Sequence, residues 1–562
     1  MITSTERPEP SGRTMSQETR EITEDFLAQL KQDLVCRHLG RGMVRLEEHR
    51  SLFTSFDPEQ KNAARFAGYL AQWVDIGFQR PALVKEIVSR FSRPARSRLP
   101  LQDYLYLRLA EGMIAMADEA KEEAIRHLDF VLGLEEQADD KELLAIANFW
   151  KARCLRMKGE YDQALAYAVK GRELATELGH EPMAAVMRVL ESWLFFQKGN
   201  VKQALQILQE AETALRKTDD HLTLGNIHSS YGRIARRQGR YQHAIESFTA
   251  AIAQYRKRDP RHRNVARSLS NLASAKRLIA LQLRRKIDAD AARRRKAATR
   301  GRASENGGKP QHRNRFEQLR REALAELDEA AGIYKEYRNH HGLGTVHLNY
   351  GYLHLDNGDL EYAESEAKTA FRLGEEKGDH ILMARARLLE CMIENVRVEE
   401  EIGESAEPGG HARIAQDCAR EAIELAQQTQ NRRLLADAHI WQGLTYCNRF
   451  FDDPEAARRS YDQAITLSKG THADGTWEEL EALKAKVVRG GRVDPVLRAW
   501  SQGSVGDKTF QQISEQFAEL IIPKVWEREG RKVSRVATRL SMSPKKVRRI
   551  LGRVGRRKPR PE

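Results

Sequence analysis

The sequence predicts an all-α protein: a long solenoid of antiparallel helix pairs followed by a small, strongly basic helical unit. Three observations carry that expectation. Ala124, Ala164, Ala204 and Ala244 recur forty residues apart without a slip. Gly159, Gly199 and Gly239 stand five residues before three of them, where a helix must end and the chain must turn. The last forty residues hold two short segments with apolar residues at helical spacing, joined by a corner and dense in Arg and Lys.

In chain order, residues 1–18 are polar, contain proline and lack periodicity, so they are expected to be a disordered tail. Residues 19–102 form an N-terminal helical cap with room for one degenerate repeat. Phe26, Leu30 and Leu34 share one helix face there, and Phe66, Tyr69, Leu70, Trp73 and Val74 share a later one.

The solenoid is expected over 103–489. Four residues after each ladder alanine stands Leu128, Ala168, Leu208 or Phe248, and seven after it Val131, Gly171, Ala211 or Ala251. Twelve residues before each stands Gly112, Ala152, Ser192 or Gly232. Small residues at such places let two antiparallel helices approach closely. The ladder resumes at Ala323 and Ala363, then more loosely at Ala415 and Ala457, giving eight repeats to about Lys469.

The stretches YGRIARRQGRYQHAIESFTAA (Tyr231 to Ala251) and YGYLHLDNGDLEYAESEAKTA (Tyr350 to Ala370) resemble the tetratricopeptide repeat. The forty-residue period resembles the long-helix version found in bacterial regulators of the maltose-activator type. The resemblance implies a curved solenoid whose concave face binds a protein or peptide, lined by the first helix of each pair. Outward positions on those helices include Arg153, Arg156, Trp193, Phe196, Arg233, Arg236 and Arg237. Arginines beside aromatics suit an acidic peptide or a nucleotide, through charge-assisted bonds and stacking. The alternative is that Trp193 and Phe196 pack between repeats.

Between the helices of the fourth repeat lies an arginine-rich insertion, 284–315, read as a solvated loop with a helical start or as a second phosphate-contacting arm. Residues 401–414 read as a plain loop in the seventh repeat. Residues 490–509, rich in Gly, Pro and Ser, read as a hinge. The remaining stretch, 510–562, is the basic unit. Its first helix carries Ile513, Phe517, Leu520 and Ile521 on one side, and Pro523 is expected to kink or split it.

From Gly530 to Leu551 the chain reads GRKVSRVATRLSMSPKKVRRIL. Val533, Val536, Ala537 and Leu540 face one way on a first helix. Ser543 suits an N-cap and Pro544 the first position of a second helix. Val547, Ile550, Leu551 and Val554 turn inward on that helix, leaving Lys545, Lys546, Arg548, Arg549 and Arg553 outward. The stretch resembles the Fis-type helix-turn-helix at the C-terminus of bacterial transcription regulators. Ile522, Trp526, Gly530, Ser534, Val536, Ala537, Leu540, Met542, Ser543, Val547 and Leu551 fall in its register. The family's second glycine, capping asparagine and corner glycine are here Arg531, Lys532 and Ser541.

The resemblance implies duplex DNA as a partner, read in the major groove by the second helix, with the preceding helix helping to form a homodimer. On that reading Ser543, Lys545, Lys546 and Arg549 contact base edges, and Arg535, Arg539, Arg548 and Arg553 contact phosphates.

Charge agrees with a local contact surface. Of a net +14, residues 521–562 carry +12 and residues 284–315 carry +9, so the rest of the chain is mildly acidic at −7. Five cysteines with no C-x-x-C spacing point to buried, reduced thiols rather than a disulfide framework or a zinc site. No leader or membrane-length apolar run is read, so the protein is expected to stay in the cytoplasm, on the nucleoid when bound.

No catalytic, cofactor or metal motif is found, so neither an enzyme nor a cofactor is expected. The nearest decoy, Gly503 to Thr509 (GSVGDKT), has an Asp before its Lys and no strand ahead of it. His340 and His341 are read as surface or capping residues. The sequence therefore points to a transcription regulator, with a scaffold protein anchored by a nonspecific basic tail as the rival.

Overall fold

The computed structural model describes residues 21–298, 310–400, 408–469, 475–490 and 507–557, and every regular element among them is a helix. The expected tail over 1–18, the core of the basic insertion and most of the expected hinge lie outside the described residues, as do residues 401–407 of the loop expected over 401–414, whose residues 408–414 are instead the start of a helix. The chain divides into two compact units, Met1–Phe451 with Ala456–Leu483, and Asp452–Glu455 with Lys484–Glu562.

In the larger unit, eight antiparallel pairs run from Leu101 to Ser468: α7 (Leu101–Ala117) with α8 (Lys121–Leu132), α9 (Lys141–Lys158) with α10 (Tyr161–Glu177), α11 (Glu181–Gln197) with α12 (Val201–Leu215), and α13 (His221–Arg237) with α14 (Tyr241–Arg258). Then come α15 (Arg263–Ala298) with α16 (Pro310–Glu336), α17 (His340–Asn357) with α18 (Leu360–Glu375), α19 (His380–Glu400) with α20 (Pro408–Gln427), and α21 (Arg432–Tyr446) with α22 (Pro454–Ser468). Helix α23 (Gly475–Gly490) covers the last pair by burying Leu480 and Leu483.

The ladder residues are the core of this stack. Ala124, Ala164, Ala204 and Ala244 are wholly buried, as are Leu128, Leu208 and Phe248. The helices of a pair cross where the first offers a small residue. A Cβ on Gly112 would meet Leu128 Cγ at 3.3 Å, and one on Gly232 would meet Phe248 Cδ1 at 2.7 Å. Where Ser192 takes that place, its hydroxyl donates to the Ala204 carbonyl at 2.8 Å, so the close approach leaves no polar group unpaired.

Three successive corners turn on a left-handed glycine. Gly159, Gly199 and Gly239 have φ of 85°, 89° and 73°. The N–H that follows bonds back into the helix, as Glu160 does to Leu155 O at 3.0 Å.

The segment expected as a cap holds two further pairs of the same construction. Helix α1 (Glu24–Val35) pairs with α2 (Leu39–Glu48), and after α3 (Ser51–Thr54), α4 (Ala63–Asp75) pairs with α5 (Pro81–Ser89), with α6 (Arg93–Ser97) leading on to α7. Their corners are Arg37 (φ 58°) and Gly77 (φ 94°), forty residues apart, with His38 N bonding Asp33 O and Phe78 N bonding Trp73 O. An arginine in a glycine position hides the first of these from the sequence. The arginine-rich insertion also sits differently from expectation. It falls inside the fifth of the eight pairs, not the fourth, and its start prolongs α15 as far as Ala298.

The pairs coil so that the first four corners meet the chain five or six pairs further on. Arg37 reaches Asp220, at the head of α13, with Nη2 to Oδ2 at 2.6 Å. Beside it Asp219 accepts the Leu39 and Gly40 N–H groups, both at 2.6 Å. Arg80, after the Gly77 corner, faces Asp259 at 3.7 Å. Glu119, at the corner of α7 and α8, accepts from Asn339 Nδ2 and His340 N at 2.8 Å and from His341 N at 3.2 Å. His340 and His341 thus sit at a helix start, as capping-end residues. Gly159 O accepts from Gln430 N at 3.0 Å, and a Cβ on Gly159 would meet Ile381 Cδ1 at 3.3 Å. Successive turns of the coil are therefore stitched together by polar contacts at helix termini, where N–H groups otherwise lack partners.

The smaller unit contains α24 (Phe510–Arg528), α25 (Val533–Arg539) and α26 (Pro544–Arg557). Ile522, Val536, Ala537, Val547 and Ile550 form its core, with Val525 and Trp526 packed against it. Pro523 does not split α24, which is continuous across it. The packing of Ile522, Val525 and Trp526 on either side offsets the one backbone bond the ring removes. Thr509 and Gln512 start α24 with a reciprocal capping box.

Candidate functional site

Two places in the structure concentrate cations. The first is the outer surface of α26. Ser543 Oγ accepts the Lys546 N–H at 3.3 Å, so the expected N-cap starts the helix. The corner before it turns on Ser541, whose φ of 49° is left-handed, and Met542 N returns to Ala537 O at 2.9 Å. With Val547 and Ile550 buried, Lys545, Lys546, Arg548 and Arg549 fall on the solvent side and are exposed.

Arg535 on α25 is exposed as well. Two cations of this surface are already engaged. Arg539 Nη1 lies 2.6 Å from Glu529 Oε1 and Arg553 Nη1 3.2 Å from Glu515 Oε2. Lys545, Lys546, Arg548 and Arg549 have no carboxylate partner among the described residues. The first half of α24 leaves Phe510 85% and Phe517 49% exposed, an apolar face on the same unit.

The second place is a cavity inside the coil, walled by first helices of successive pairs. It is a cleft open in part to solvent. Of the residues expected to line a groove, Arg153, Arg156, Trp193 and Arg233 line it. Phe196 does not. It is buried in the core between α11, α12 and α13, where Arg237 lies over its ring at 3.8 Å and bonds its carbonyl at 2.9 Å. Arg237 is thereby held by the fold, and Arg236 bonds Ser274 Oγ at 2.7 Å away from the cavity lining.

The cavity also contains groups the sequence pattern did not indicate: Arg37, Asp75, Asn226, His262, Arg263 and Arg267. Asp75 binds Arg153 through both carboxylate oxygens at 2.7 and 3.2 Å, and Arg263 at 2.7 Å. Burial works to raise its pKa, but Arg153 and then Arg263 outweigh it and hold the carboxyl well below the usual range. His262 is pushed down to about 3 by burial and then by Arg263, so it is neutral at physiological pH.

Arg156, Arg233 and Arg267 have no carboxylate partner among the described residues. Arg156 lies over the Trp193 ring at 5.0 Å, and Tyr161 meets that ring edge-on at 5.6 Å. Arg233 bonds Ser229 O and Ser230 Oγ, and Arg267 bonds Asn226 Oδ1 at 2.6 Å. Burial first, and then Arg267, lower both Arg156 and Arg233 to about 9, still charged at neutral pH. The cavity is thus an enclosure with an excess of positive charge.

Among the described residues no group of three or more His, Cys, Asp or Glu is placed to hold a metal ion, and no helix is long and apolar enough to cross a membrane. No protein-family model matches the chain, and no curated protein matches it. Among solved structures, a Rap protein complexed with competence and sporulation factor is similar at 12% identity, over 84% of this chain and 100% of that one, with a TM-score of 0.46. An IFIT1 monomeric mutant with Gppp-AAAA is similar at 14% identity, over 83% and 94%, with a TM-score of 0.44. The apo form of the quorum sensor NprR from B. thuringiensis is similar at 14% identity, over 79% and 98%, with a TM-score of 0.37.

Proposed function

We propose that the chain is a non-enzymatic, DNA-binding transcription regulator. Its solenoid takes up a protein, peptide or small ligand, and its C-terminal unit acts as a Fis-type helix-turn-helix on duplex DNA. The observation that carries this reading is α26: a helix seated on its neighbours by Val547 and Ile550, with Lys545, Lys546, Arg548 and Arg549 exposed on its outer side. Such a rod suits the major groove, where N-terminal side chains reach base edges and flanking cations neutralise phosphates. Ser543, Lys545, Lys546 and Arg549 are assigned to bases, and Arg535, Arg539, Arg548 and Arg553 to phosphates. The exposed Phe510 and Phe517 favour pairing with a second copy through α24, which would place two such helices on one duplex.

A second reading is a scaffold whose basic end anchors it to RNA or other acidic surfaces. The exposed Lys545, Lys546, Arg548 and Arg549 would serve it equally, because cations neutralise the phosphates of any nucleic acid. The two readings separate in a gel shift of the full chain on genomic fragments with excess random duplex. Retention of discrete fragments supports the regulator, and uniform, salt-sensitive retention supports the anchor.

A further inference from the structure

The cavity in the coil holds six arginines, Arg37, Arg153, Arg156, Arg233, Arg263 and Arg267. Two carboxylates answer them. Asp75 takes Arg153 and Arg263, and Asp220 takes Arg37. Arg156, Arg233 and Arg267 remain uncompensated by any carboxylate among the described residues. Guanidinium groups withdrawn from water without counter-charge are costly, and a bound anion removes that cost.

The hydrogen-bonding groups left over are also of one kind. Arg156 Nε, Arg267 Nε and Trp193 Nε1 are buried without a partner, and all three are donors. The acceptor in their midst is saturated: Asn226 Oδ1 already takes Tyr255 Oη at 2.9 Å, Asn264 Nδ2 at 3.2 Å and Arg267 Nη2 at 2.6 Å. A ligand here must supply acceptors and negative charge while bringing few donors of its own. A peptide carries an N–H at nearly every residue and would bury them against a wall with few acceptors to spare. Phosphoryl groups carry acceptor oxygens and charge together, and arginine binds them bidentately.

We propose that Arg156, Arg233 and Arg267, with the indole N–H of Trp193, form an anion site inside the coil that takes a compact ligand bearing two or more phosphoryl groups. This rests on the reading of the solenoid as the ligand-receiving part of the protein and names the chemical class of that ligand.

The test is calorimetric titration of the full chain with tripolyphosphate, with ATP and with hexaglutamate, on the wild type and on Arg156→Gln, Arg233→Gln and Arg267→Gln. Any binding by the basic C-terminal unit is common to all four proteins and subtracts. Tripolyphosphate or ATP should bind the wild type, and each Gln variant should lose at least about tenfold in affinity, roughly 1.4 kcal/mol. Because the three guanidiniums repel one another when the site is empty, Arg156→Gln should also raise the melting temperature of the ligand-free protein, which a merely structural arginine would lower. Equal affinities in all four proteins, a lowered melting temperature with unchanged binding, or hexaglutamate outcompeting both phosphates through the same arginines would each overturn the proposal. Gel shifts on the same four preparations report DNA binding separately, so failure of this site and failure of the regulator reading are told apart.

Discussion

Glu119 accepts the backbone N–H of His340 at 2.8 Å, although 221 residues separate them. Glu119 occupies the corner position that Gly159, Gly199 and Gly239 occupy in the next three pairs, with a φ of 61° that strains any side chain. Its carboxylate serves as a remote N-cap for α17 and ties one turn of the coil to the next.

Replacing Glu119 separates the two effects. Glu119→Ala should cost about 1–2 kcal/mol through loss of the cap. Glu119→Gly loses the same cap but relieves the left-handed backbone, and should be about 1 kcal/mol more stable than the alanine variant. Urea unfolding of both variants measures the difference. Equal stability would mean the corner is not strained.

Asp75 joins α4 to Arg153 on α9 and Arg263 on α15. Its folded pKa lies below its unfolded value, so its stabilising contribution is fully present above about pH 5 and is lost progressively as pH falls below the unfolded value, about 4, and through the folded one. Asp75→Asn should cost about 2–3 kcal/mol at pH 7 by leaving two half-buried arginines unpaired. The gap between variant and wild type should narrow steadily between pH 5 and pH 2 in thermal melts. A constant gap over that range would contradict the assignment.

How much of this was legible beforehand differs from place to place. The forty-residue ladder could be read because a helix crossing as close as that of Gly232 on Phe248 admits only small residues, which leaves a mark in the sequence. The two N-terminal pairs were less visible, since Arg37 fills a glycine position. The coiling could not be read at all. It depends on single polar contacts between residues some 180–270 apart, such as Arg37 with Asp220 and Asp162 with Gln430, and the residue types that make them differ from corner to corner.

The same holds inside the cavity. Helix periodicity brought out Arg153, Arg156, Trp193 and Arg233, but which arginines are neutralised depends on Asp75, a residue on a helix the pattern placed in a cap. Phe196 shares their register and is nonetheless core, because Arg237 lies over its ring and takes the outward place.

In the C-terminal unit, Ser541 stands where a glycine would suit the φ of 49°. Ser541→Gly should stabilise that unit by about 0.5–1 kcal/mol, the left-handed strain being offset in part by glycine's greater freedom when unfolded. Hydrogen exchange of α25 and α26 amides in the full chain reads this locally. Faster exchange in the variant would show that the corner holds serine without strain.

Lys546→Ala and Arg539→Ala should differ in kind. The first should cost about 1–3 kcal/mol at a specific site and relax sequence preference, and the second should weaken all duplexes alike. Because Arg539 is already paired with Glu529 at 2.6 Å, its loss should be the smaller. Equal losses on specific and random duplex for both variants would reject the assigned roles.

The most direct test of the regulator reading is selection of genomic duplex fragments by the full chain under excess random competitor, repeated with Lys545 and Lys546 both changed to alanine. The reading predicts a small set of retained fragments that share a sequence and that the double variant no longer retains. Retention of arbitrary fragments in proportion to their length, abolished by salt and indifferent to sequence, would contradict it.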